Sequence, residues 1–297
     1  TGILPAPEVA RIFREIMSAC LALEQPLTIA FLGPAGTFTE AAALKHFGHS
    51  INSRPMGAID EVFREVESVA AHYGVVPVEN STEGVVNHTL DSFVNSPLTI
   101  CGEVELRIHH HLLSEQTDLK KIVKVISHQQ SLAQCREWLD RYLPHAERLH
   151  ASSNAEAVRQ VKNKGSDYAA IAGDIASELY ELPAQVRNIE DEPDNTTRFL
   201  IIGRNRPAPS GRDKTSLLLS TPNRPGALYS LLEPFMRHGL SLTRIESRPS
   251  RRAMWEYVFF VDIDGHAQDE KVQKAVVDIE KNAGMVKVLG SYPKAVL

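Results

Sequence analysis

Cysteine is scarce in this chain. The 297 residues include three cysteines, Cys20, Cys101 and Cys135, which lie far apart and form no CxxC pair. An odd and dispersed set argues against a disulfide framework and against a zinc knuckle. The simplest interpretation is a protein of the reducing cytoplasm, and we expect no metal site built on cysteine.

Long apolar runs and an excess of positive charge are also missing. No stretch approaches the roughly 18 uninterrupted apolar residues of a membrane span, and we see no export signal at the start. Lys and Arg total 32 against 37 Asp and Glu, a net charge of −5. These absences argue against membrane and nucleic-acid partners. An anionic ligand would have to be attracted by local features.

Residues 1–26 are dominated by one amphipathic helix. Between Pro7 and Glu24, apolar side chains recur at intervals of three and four residues, and Pro26 ends the pattern. The recurring positions are Val9, Ile12, Phe13, Ile16, Met17, Cys20 and Leu23. Such a helix must pack on the rest of this chain or on a partner.

Residues 27–204 repeat one unit, in which a short apolar run is followed by a polar turn and a helical pattern. The clearest apolar runs are 28–32, 73–78, 123–126 and 168–172. This alternation predicts an α/β domain with mostly parallel sheets. Because about 180 residues is large for one sheet, we expect two lobes with a cleft between them.

The remaining chain forms a linker and a second domain. Residues 205–213 include two prolines and a glycine and are typical of an exposed linker. Residues 214–297 then follow the order strand, helix, strand, strand, helix, strand. That βαββαβ order predicts an α+β fold of the ferredoxin-like type.

Polar turns follow the predicted strands of the α/β domain. Hydroxyls at Thr37, Ser81 or Thr82, Ser127 and Ser153 could each cap the next helix. Helix N-termini that converge on a cleft attract carboxylates. The alternative is a purely structural role, since any α/β protein needs such turns. Together the turns indicate a small anion without identifying it.

A polar loop, 191–198, runs directly into the apolar strand 199–203. Thr197 and Arg198 are expected at the start of this strand, where a hydroxyl donor lies beside a guanidinium that could bind a carboxylate through two hydrogen bonds. We expect both to face the cleft; the alternative is a solvated loop with Asp–Arg pairs. The run 109–111 is all histidine, but no nearby Asp or Cys completes a metal site, so we predict none.

The order and spacing of these segments resemble the motifs of prephenate dehydratases. The matching segments are GPAGTFTE (33–40), ENSTEG (79–84), Ser127-His128 with LAQC (132–135), and NTTRF (195–199). Two departures are Gln129, where the family usually has proline, and Ser131, where it usually has alanine. The resemblance implies a two-lobed, periplasmic-binding-protein-like catalytic domain at 27–204.

The resemblance also implies a reaction: loss of CO2 and hydroxide from prephenate to give phenylpyruvate, with no cofactor. It makes Thr197 the catalytic residue, which would donate to the leaving oxygen. The substrate-binding residues that it implies are Thr37, Glu79, Asn80, Ser81, Ser127, His128, Asn195, Arg198 and Phe199.

Residues 214–297 resemble the ACT regulatory domain that follows the catalytic domain in this family. This implies L-phenylalanine as allosteric effector and assembly into a homodimer or homotetramer. The effector-binding residues implied are Asn223, Pro225, Gly226, Ala227, Leu228, Glu246, Ser247, Arg248 and Pro249.

The first helix resembles the last helix of a chorismate mutase domain in bifunctional enzymes, but one helix cannot enclose a mutase site. We therefore expect no mutase activity from this chain. Two other functions stay open: dehydration of arogenate, and capture of a small ligand without catalysis by the same two-lobed architecture.

Overall fold

The computed structural model describes residues 4–221, 224–249 and 257–295. Two sheets with flanking helices form the two lobes of the α/β domain, and a third sheet forms the C-terminal domain. In the described ranges, none of the helices has both the length and the apolar character needed to cross a membrane.

The first lobe is built on a mixed sheet in the order β2-β1-β3-β11-β5, with the short β4 paired to β3. The first three of these strands are parallel, whereas β11 is antiparallel to both of its neighbours. The strands are β1 (Thr28–Leu32), β2 (Asn52–Met56), β3 (Tyr73–Asn80), β4 (Gly84–Val85), β5 (Thr99–Arg107) and β11 (Thr196–Gly203). The helices are α2 (Phe38–Phe47), α3 (Ile59–Glu67) and α4 (Asn87–Asn95).

The second lobe has the sheet order β10-β6-β9-β7-β8, in which β7, β8 and β9 are parallel. Its strands are β6 (His111–Leu113), β7 (Lys124–His128), β8 (Glu147–Ala151), β9 (Tyr168–Ala172) and β10 (Ala184–Val186). Its helices are α5 (Gln129–Gln134), α6 (Arg136–Tyr142), α7 (Asn154–Lys162) and α8 (Asp174–Leu179). The buried cluster around Val125, Leu139 and Ile171 forms part of its core.

The chain crosses between the lobes twice, through residues 108–110 and 187–195. The two crossings are hydrogen-bonded to each other, from Ile108 N to Asn195 O (2.8 Å) and from Ile189 N to His110 O (2.8 Å). Paired crossing segments of this kind form the hinge in two-lobed binding folds. The cleft opens beside them.

The C-terminal domain is an antiparallel sheet in the order β13-β14-β12-β15, with two helices. Its elements are β12 (Asp213–Thr221), α9 (Ala227–Arg237), β13 (Leu242–Pro249), β14 (Tyr257–Asp264), α10 (Glu270–Glu280) and β15 (Met285–Pro293). Because side chains alternate along a strand, Leu217 and Leu219 pack under the helices. The intervening Leu218 faces the first lobe.

The C-terminal sheet and the first lobe share one hydrophobic core. Leu218, Phe260 and Leu289 of the sheet are buried with Phe93 and Leu200 of the lobe. The backbones approach so closely that a Cβ at Gly290 would lie 2.2 Å from the carbonyl oxygen of Ile100. Only glycine fits at such a contact, so the domains are packed rather than tethered.

The first helix, α1 (Ala6–Glu24), rests on α2 through a polar edge. Glu15 accepts a hydrogen bond from the backbone N–H of His49 (3.0 Å), and Ser18 Oγ accepts from Ser50 N (3.2 Å). Its apolar positions point away from the rest of the described chain, with Phe13 59% and Met17 57% exposed. The packing that the sequence demands is therefore not supplied by the described part of this chain.

The structure confirms the fold class, namely a two-lobed α/β domain followed by an α+β domain of βαββαβ order. The four apolar runs named above lie in β1, β3, β7 and β9. The expectation of mostly parallel sheets holds only in part, because β5, β6, β10 and β11 add antiparallel pairs.

Candidate active site in the cleft

A cavity of about 580 Å3 lies in the cleft between the lobes. The starts of three helices of nine or ten residues border it: the N-cap Thr37 and Phe38 at α2, Asn87 and His88 of α4, and Asn154 of α7. The shorter α5 also contributes its first turn. The other lining residues include Asn80, Glu83, Ile108, His110, His128, Gln130, Ser131, Gln134, Ser153, Gly173, Thr197 and Phe199.

Backbone dipoles, and not cationic side chains, are the features of this cavity that favour an anion. In the described part of the chain, no Lys or Arg lines it, and Glu83 is the one lining carboxylate. The free N–H groups at a helix start carry a partial positive charge and bind carboxylates. Three such starts at one cavity suit a small ligand with more than one carboxylate.

Thr197 lies in the cavity wall as the sequence predicted. It lies on β11 directly opposite Asn80 of β3. The amide Nδ2 of Asn80 donates a hydrogen bond to Thr197 Oγ1 over 2.8 Å. The threonine hydroxyl is thus held in place by a cross-strand neighbour.

Arg198 does not line the cavity, so its expected position beside Thr197 in the cleft is wrong. Strand β11 already begins at Thr196, so Thr197 and Arg198 point to opposite faces of the sheet. The guanidinium contacts Glu103 (Nε to Oε2, 2.8 Å), Asp262 (Nη1 to Oδ2, 2.7 Å) and Tyr292 (Nη2 to Oη, 3.0 Å). Asp262 and Tyr292 belong to the C-terminal sheet, so Arg198 joins the two domains.

Glu79 and Ser81 flank Asn80 but also lie outside the cavity lining. Glu79 Oε2 forms an ion pair with Arg244 Nε of β13 over 3.0 Å, again across the domain interface. Ser81 Oγ accepts a hydrogen bond from Thr196 N (3.0 Å). Neither Ser81 nor Thr82 caps a helix, because a turn and β4 intervene before α4. Glu79 and Ser81 support the walls of the site.

Ser127 and Asn195 are buried behind the cavity surface. Ser127 Oγ lies 2.7 Å from the carbonyl oxygen of Ile171 and 2.9 Å from Asn154 Oδ1. Asn195 is 2% exposed, and its Oδ1 accepts from Asn80 Nδ2 over 2.7 Å. The two residues position lining side chains and do not themselves reach the cavity.

Thr37, His128 and Phe199 are the other predicted residues that line the cavity. The Thr37 hydroxyl donates to Leu32 O (3.2 Å) instead of capping α2. His128 caps α5, accepting from the backbone with its Nδ1. The predicted cap at Ser153 is present, since its Oγ accepts a hydrogen bond from the backbone N–H of Glu156 (3.1 Å).

The histidine run contributes one residue to the site, His110, which the sequence did not predict. His109 pairs with Glu190 (2.7 Å), and His111 Nε2 lies 3.2 Å from Asp174. His110, between them, lines the cavity at 1% exposure, and burial lowers the pKa of its imidazole. Within the described ranges, no group of three or more potential ligands could hold a metal ion.

Two further polar residues of the site were missed, Gln134 and Asn154. Gln134 Oε1 faces His110 Nε2 (2.9 Å) and accepts from Asn195 Nδ2 (3.2 Å). Asn154 Oδ1 accepts from the backbone N–H of His128 (3.2 Å) and from Ser131 Oγ (2.9 Å). Asn154 follows the polar turn 152–153, a signal that was used only to place a helix cap.

The expected effector residues lie in two segments of the C-terminal domain. Pro225–Leu228 form the start of α9, where Gly226 has a left-handed φ of 78°. Glu246–Pro249 lie on the edge strand β13, and no hydrogen bond joins the two segments in the described chain. Arg248 contacts both carboxylate oxygens of Asp91 on α4, at 3.0 Å each. Asn223 lies outside the described residues.

Comparison with known proteins agrees with this arrangement. A protein from Stutzerimonas stutzeri named bifunctional chorismate mutase/prephenate dehydratase is 60% identical over 297 residues, covering 100% of this chain and 81% of that protein. A prephenate dehydratase from Arthrobacter aurescens, solved in complex with L-Phe, is 34% identical with a TM-score of 0.84, covering 91% of this chain and 90% of that one. GqqA, described as a novel type of quorum-quenching acylase, is 27% identical with a TM-score of 0.83, covering 90% and 98%.

Family models match both domains. The model of the ACT domain matches residues 215–281, which include most of β12, α9, β13, β14 and α10. The model described as prephenate dehydratase matches residues 29–207, which contain both lobes and every lining residue of the cavity. The chain therefore belongs to the prephenate dehydratase family.

Proposed function

We propose that this protein is a lyase that converts prephenate to phenylpyruvate, with Thr197 as its catalytic residue. The observation that carries the proposal is the hydroxyl of Thr197 in the wall of a cavity bordered by three helix starts. Helix starts bind the two carboxylates of prephenate, and a hydroxyl suits the leaving oxygen. Because GqqA has a similar fold and a different described activity, the proposal rests on the site and not on the fold.

The reaction needs few groups from the protein. The bond between the ring and its carboxylate breaks, CO2 leaves, and the electron pair completes the aromatic ring as the ring C–O bond breaks. The departing oxygen takes that bond's electrons and leaves as hydroxide, which takes its proton from the solvent. Thr197 donates a hydrogen bond to this oxygen as negative charge develops, which is worth about 10²–10³-fold in rate for a preorganised donor. Apolar Ile108 and Phe199 also line the cavity and limit water there.

The conversion of prephenate to phenylpyruvate, followed by ultraviolet absorbance, tests the proposal. Thr197→Ala should lower kcat by about 10²-fold or more with little change in KM. Thr197→Ser, which keeps the hydroxyl, is the matched control and should retain most activity. Binding of prephenate without turnover by the wild type would instead identify a small-ligand-binding protein.

Arogenate is the second candidate substrate, because the cavity contains one carboxylate. Glu83 lines the cavity with its Oε1 3.2 Å from Gln134 Nε2. A carboxylate there could pair with the ammonium group that distinguishes arogenate from prephenate. The ratio of kcat/KM for the two substrates decides between them, and Glu83→Gln should lower the arogenate value selectively.

We propose that phenylalanine regulates this activity through the ACT domain of a cytoplasmic homodimer or homotetramer. The L-Phe complex of the Arthrobacter aurescens protein supports this. So does the continuity of β13, which holds both the segment Glu246–Pro249 and the residue Arg244 that contacts Glu79. Activity unchanged by millimolar phenylalanine, or a monomer by light scattering, would contradict these proposals.

We also propose that α1 is the last helix of a chorismate mutase domain in a longer bifunctional protein. Its exposed apolar face needs a partner that the rest of the described chain does not supply. The Stutzerimonas stutzeri protein is longer than this chain and is named for both activities. The chain alone should show no mutase activity. Fusion of the mutase segment of the Stutzerimonas stutzeri protein to its start should give mutase activity and should protect α1 from limited proteolysis.

A further inference from the structure

The side-chain amide of Asn80 has only one possible orientation. Its Oδ1 accepts hydrogen bonds from the backbone N–H groups of Thr82 and Glu83, at 3.0 Å each, and from Thr82 Oγ1 at 2.7 Å. A backbone N–H can only donate, so the atom that faces these two groups must be the oxygen. The NH2 group of Asn80 therefore faces the opposite way, toward β11.

Both hydrogens of that NH2 group are used. One is donated to Asn195 Oδ1 over 2.7 Å and the other to Thr197 Oγ1 over 2.8 Å. Asn195 is fixed in turn, because its own Nδ2 donates to Gln134 Oε1 over 3.2 Å. The group that meets Thr197 is therefore a donor, held by contacts on both of its sides.

A hydroxyl that accepts from a fixed donor must place its own hydrogen elsewhere. Among the described residues, no acceptor takes the hydrogen of Thr197, and the open side of this hydroxyl is the cavity. We infer that Asn80 is a positioning residue that turns the proton of Thr197 toward the substrate. The inference rests on the proposed role of Thr197 and adds the reason why a weakly acidic hydroxyl can act as a donor.

The donated hydrogen bond also strengthens Thr197 as a donor. Hydrogen bonds in a chain polarise one another, so the N–H from Asn80 makes the O–H of Thr197 more positive at its hydrogen. The stabilised charge is that of the departing oxygen, and the effect is largest when that charge is greatest. Loss of Asn80 should therefore reduce kcat more than it raises KM.

A purely structural role for Asn80, as a cap of the turn 81–83, makes a different prediction. Asn80→Asp is nearly isosteric and keeps an oxygen for the backbone N–H groups of Thr82 and Glu83, so a structural role would tolerate it. Our inference predicts the reverse. The second carboxylate oxygen can only accept, so it draws the Thr197 proton away from the cavity.

The expected order of kcat at neutral pH is wild type, then Asn80→Ala, then Asn80→Asp. Asn80→Asp should fall by about 10²–10³-fold, the loss typical of a preorganised donor. Its kcat should recover in part as the pH falls, because a protonated carboxyl can again donate to Thr197. Rates are compared after subtraction of the uncatalysed reaction. An Asn80→Asp enzyme within threefold of wild type, or one with no recovery in acid, overturns the inference.

Two variants keep the test decisive. Asn87→Asp places the same charge in the cavity on a residue that has no hydrogen bond with Thr197 among the described residues, so it should raise KM without an acid-dependent recovery of kcat. If Asn80→Asp does not fold, Asn80→Ala removes the donor without adding a charge and should lower kcat several-fold at constant KM. An unchanged kcat in that folded variant counts against the inference.

The inference can fail separately from the proposed function. If wild-type protein does not convert prephenate, the function is wrong, whereas loss of the Asn80 effect in an active enzyme refutes only the positioning role. Neutron diffraction determines the direction of the Thr197 O–H bond independently of any activity assay. The Thr197 deuteron should point into the cavity, and a deuteron directed at Asn80 would contradict the assignment.

Discussion

Replacement of Arg198 by methionine tests whether this residue supports the domain interface or binds substrate. Its guanidinium lies between Glu103 of the first lobe and Asp262 of the C-terminal sheet, and its side chain is 11% exposed. The side chains of Glu103 and Asp262 are 1% and 6% exposed. The Arg198→Met variant would keep the apolar stem and remove the charge.

The expected loss of stability follows from the charge left behind. Glu103 keeps its ion pair with Lys214, at 2.9 Å, but Asp262 keeps only neutral hydroxyl partners such as Ser216 among the described residues. Breaking a buried pair by removing one partner costs about 3–5 kcal/mol, and the lower end applies because Lys214 remains. About 3 kcal/mol corresponds to a fall in Tm of roughly 6–12 °C for a protein of this size.

Thermal unfolding followed by circular dichroism measures this change. Arg64→Met is the matched control, because Arg64 and Asp60 form an exposed pair, 64% and 60% exposed, worth at most about 0.5 kcal/mol. The double variant Arg198→Met with Asp262→Asn should recover part of the loss, since no buried charge remains unpaired. An unchanged Tm together with a greatly raised KM for prephenate would refute the reasoning. It would show that Arg198 binds the substrate and does not stabilise the interface.

Three other predictions concern stability. Gly290→Ala forces a methyl group against the backbone of β5 and should cost about 1–3 kcal/mol and expose the interface to limited proteolysis; Gly57→Ala, whose methyl would meet only a carboxylate side chain, is its control. Burial, aided by the charge of Arg14, lowers the pKa of His46 to about 4 from 6.5. The stability that neutral His46 provides is complete above about pH 6.5 and is lost as the pH falls toward 4, so His46→Gln should lose less stability over this range, by on the order of 2–3 kcal/mol. Ser153→Ala removes the cap of α7 and should cost about 1 kcal/mol in chemical unfolding; wild-type behaviour in any of the three variants contradicts the argument for it.

The elements of the fold were predictable because their patterns are local. The period of apolar residues placed α1, and the short runs before polar turns placed β1, β3, β7 and β9. The antiparallel strands were harder to foresee. Strand pairing depends on which distant segments meet, and β11 follows β10 in sequence but pairs with β3 and β5 of the other lobe.

The side of the sheet that a residue faces was the main failure at the site. Side chains alternate between the two faces of a sheet along a strand. The rule can be used only once the first residue of the strand is known. The sequence predicts Thr197 and Arg198 at the start of the strand, and in the structure β11 begins at Thr196, so both residues lie within it. Because side chains alternate along β11, Thr197 faces the cavity and Arg198 faces the other domain.

The domain interface could not be read from composition. Leu218, Phe260 and Leu289 look like ordinary core residues of a small domain, but they face the first lobe instead of their own helices. The demand for burial is visible in a sequence, whereas the surface that satisfies it is not. Helix α1 shows the same limit, because its apolar face predicts a partner without naming one.

The pairing of β3 with β11 explains how two functions share four adjacent residues. Thr197 pairs with Asn80, and Arg198 pairs with Glu79. On one face of this ladder the first pair borders the cavity, and on the other face the second pair contacts Asp262 and Arg244 of the C-terminal sheet. A movement of β13 or β14 relative to the first lobe would therefore act on the ion pairs of Arg198 and Glu79. These two residues are adjacent in sequence to Thr197 and Asn80, the proposed catalytic hydroxyl and the amide that orients it. A regulatory domain packed at this position is therefore coupled to the active site through directly adjacent residues.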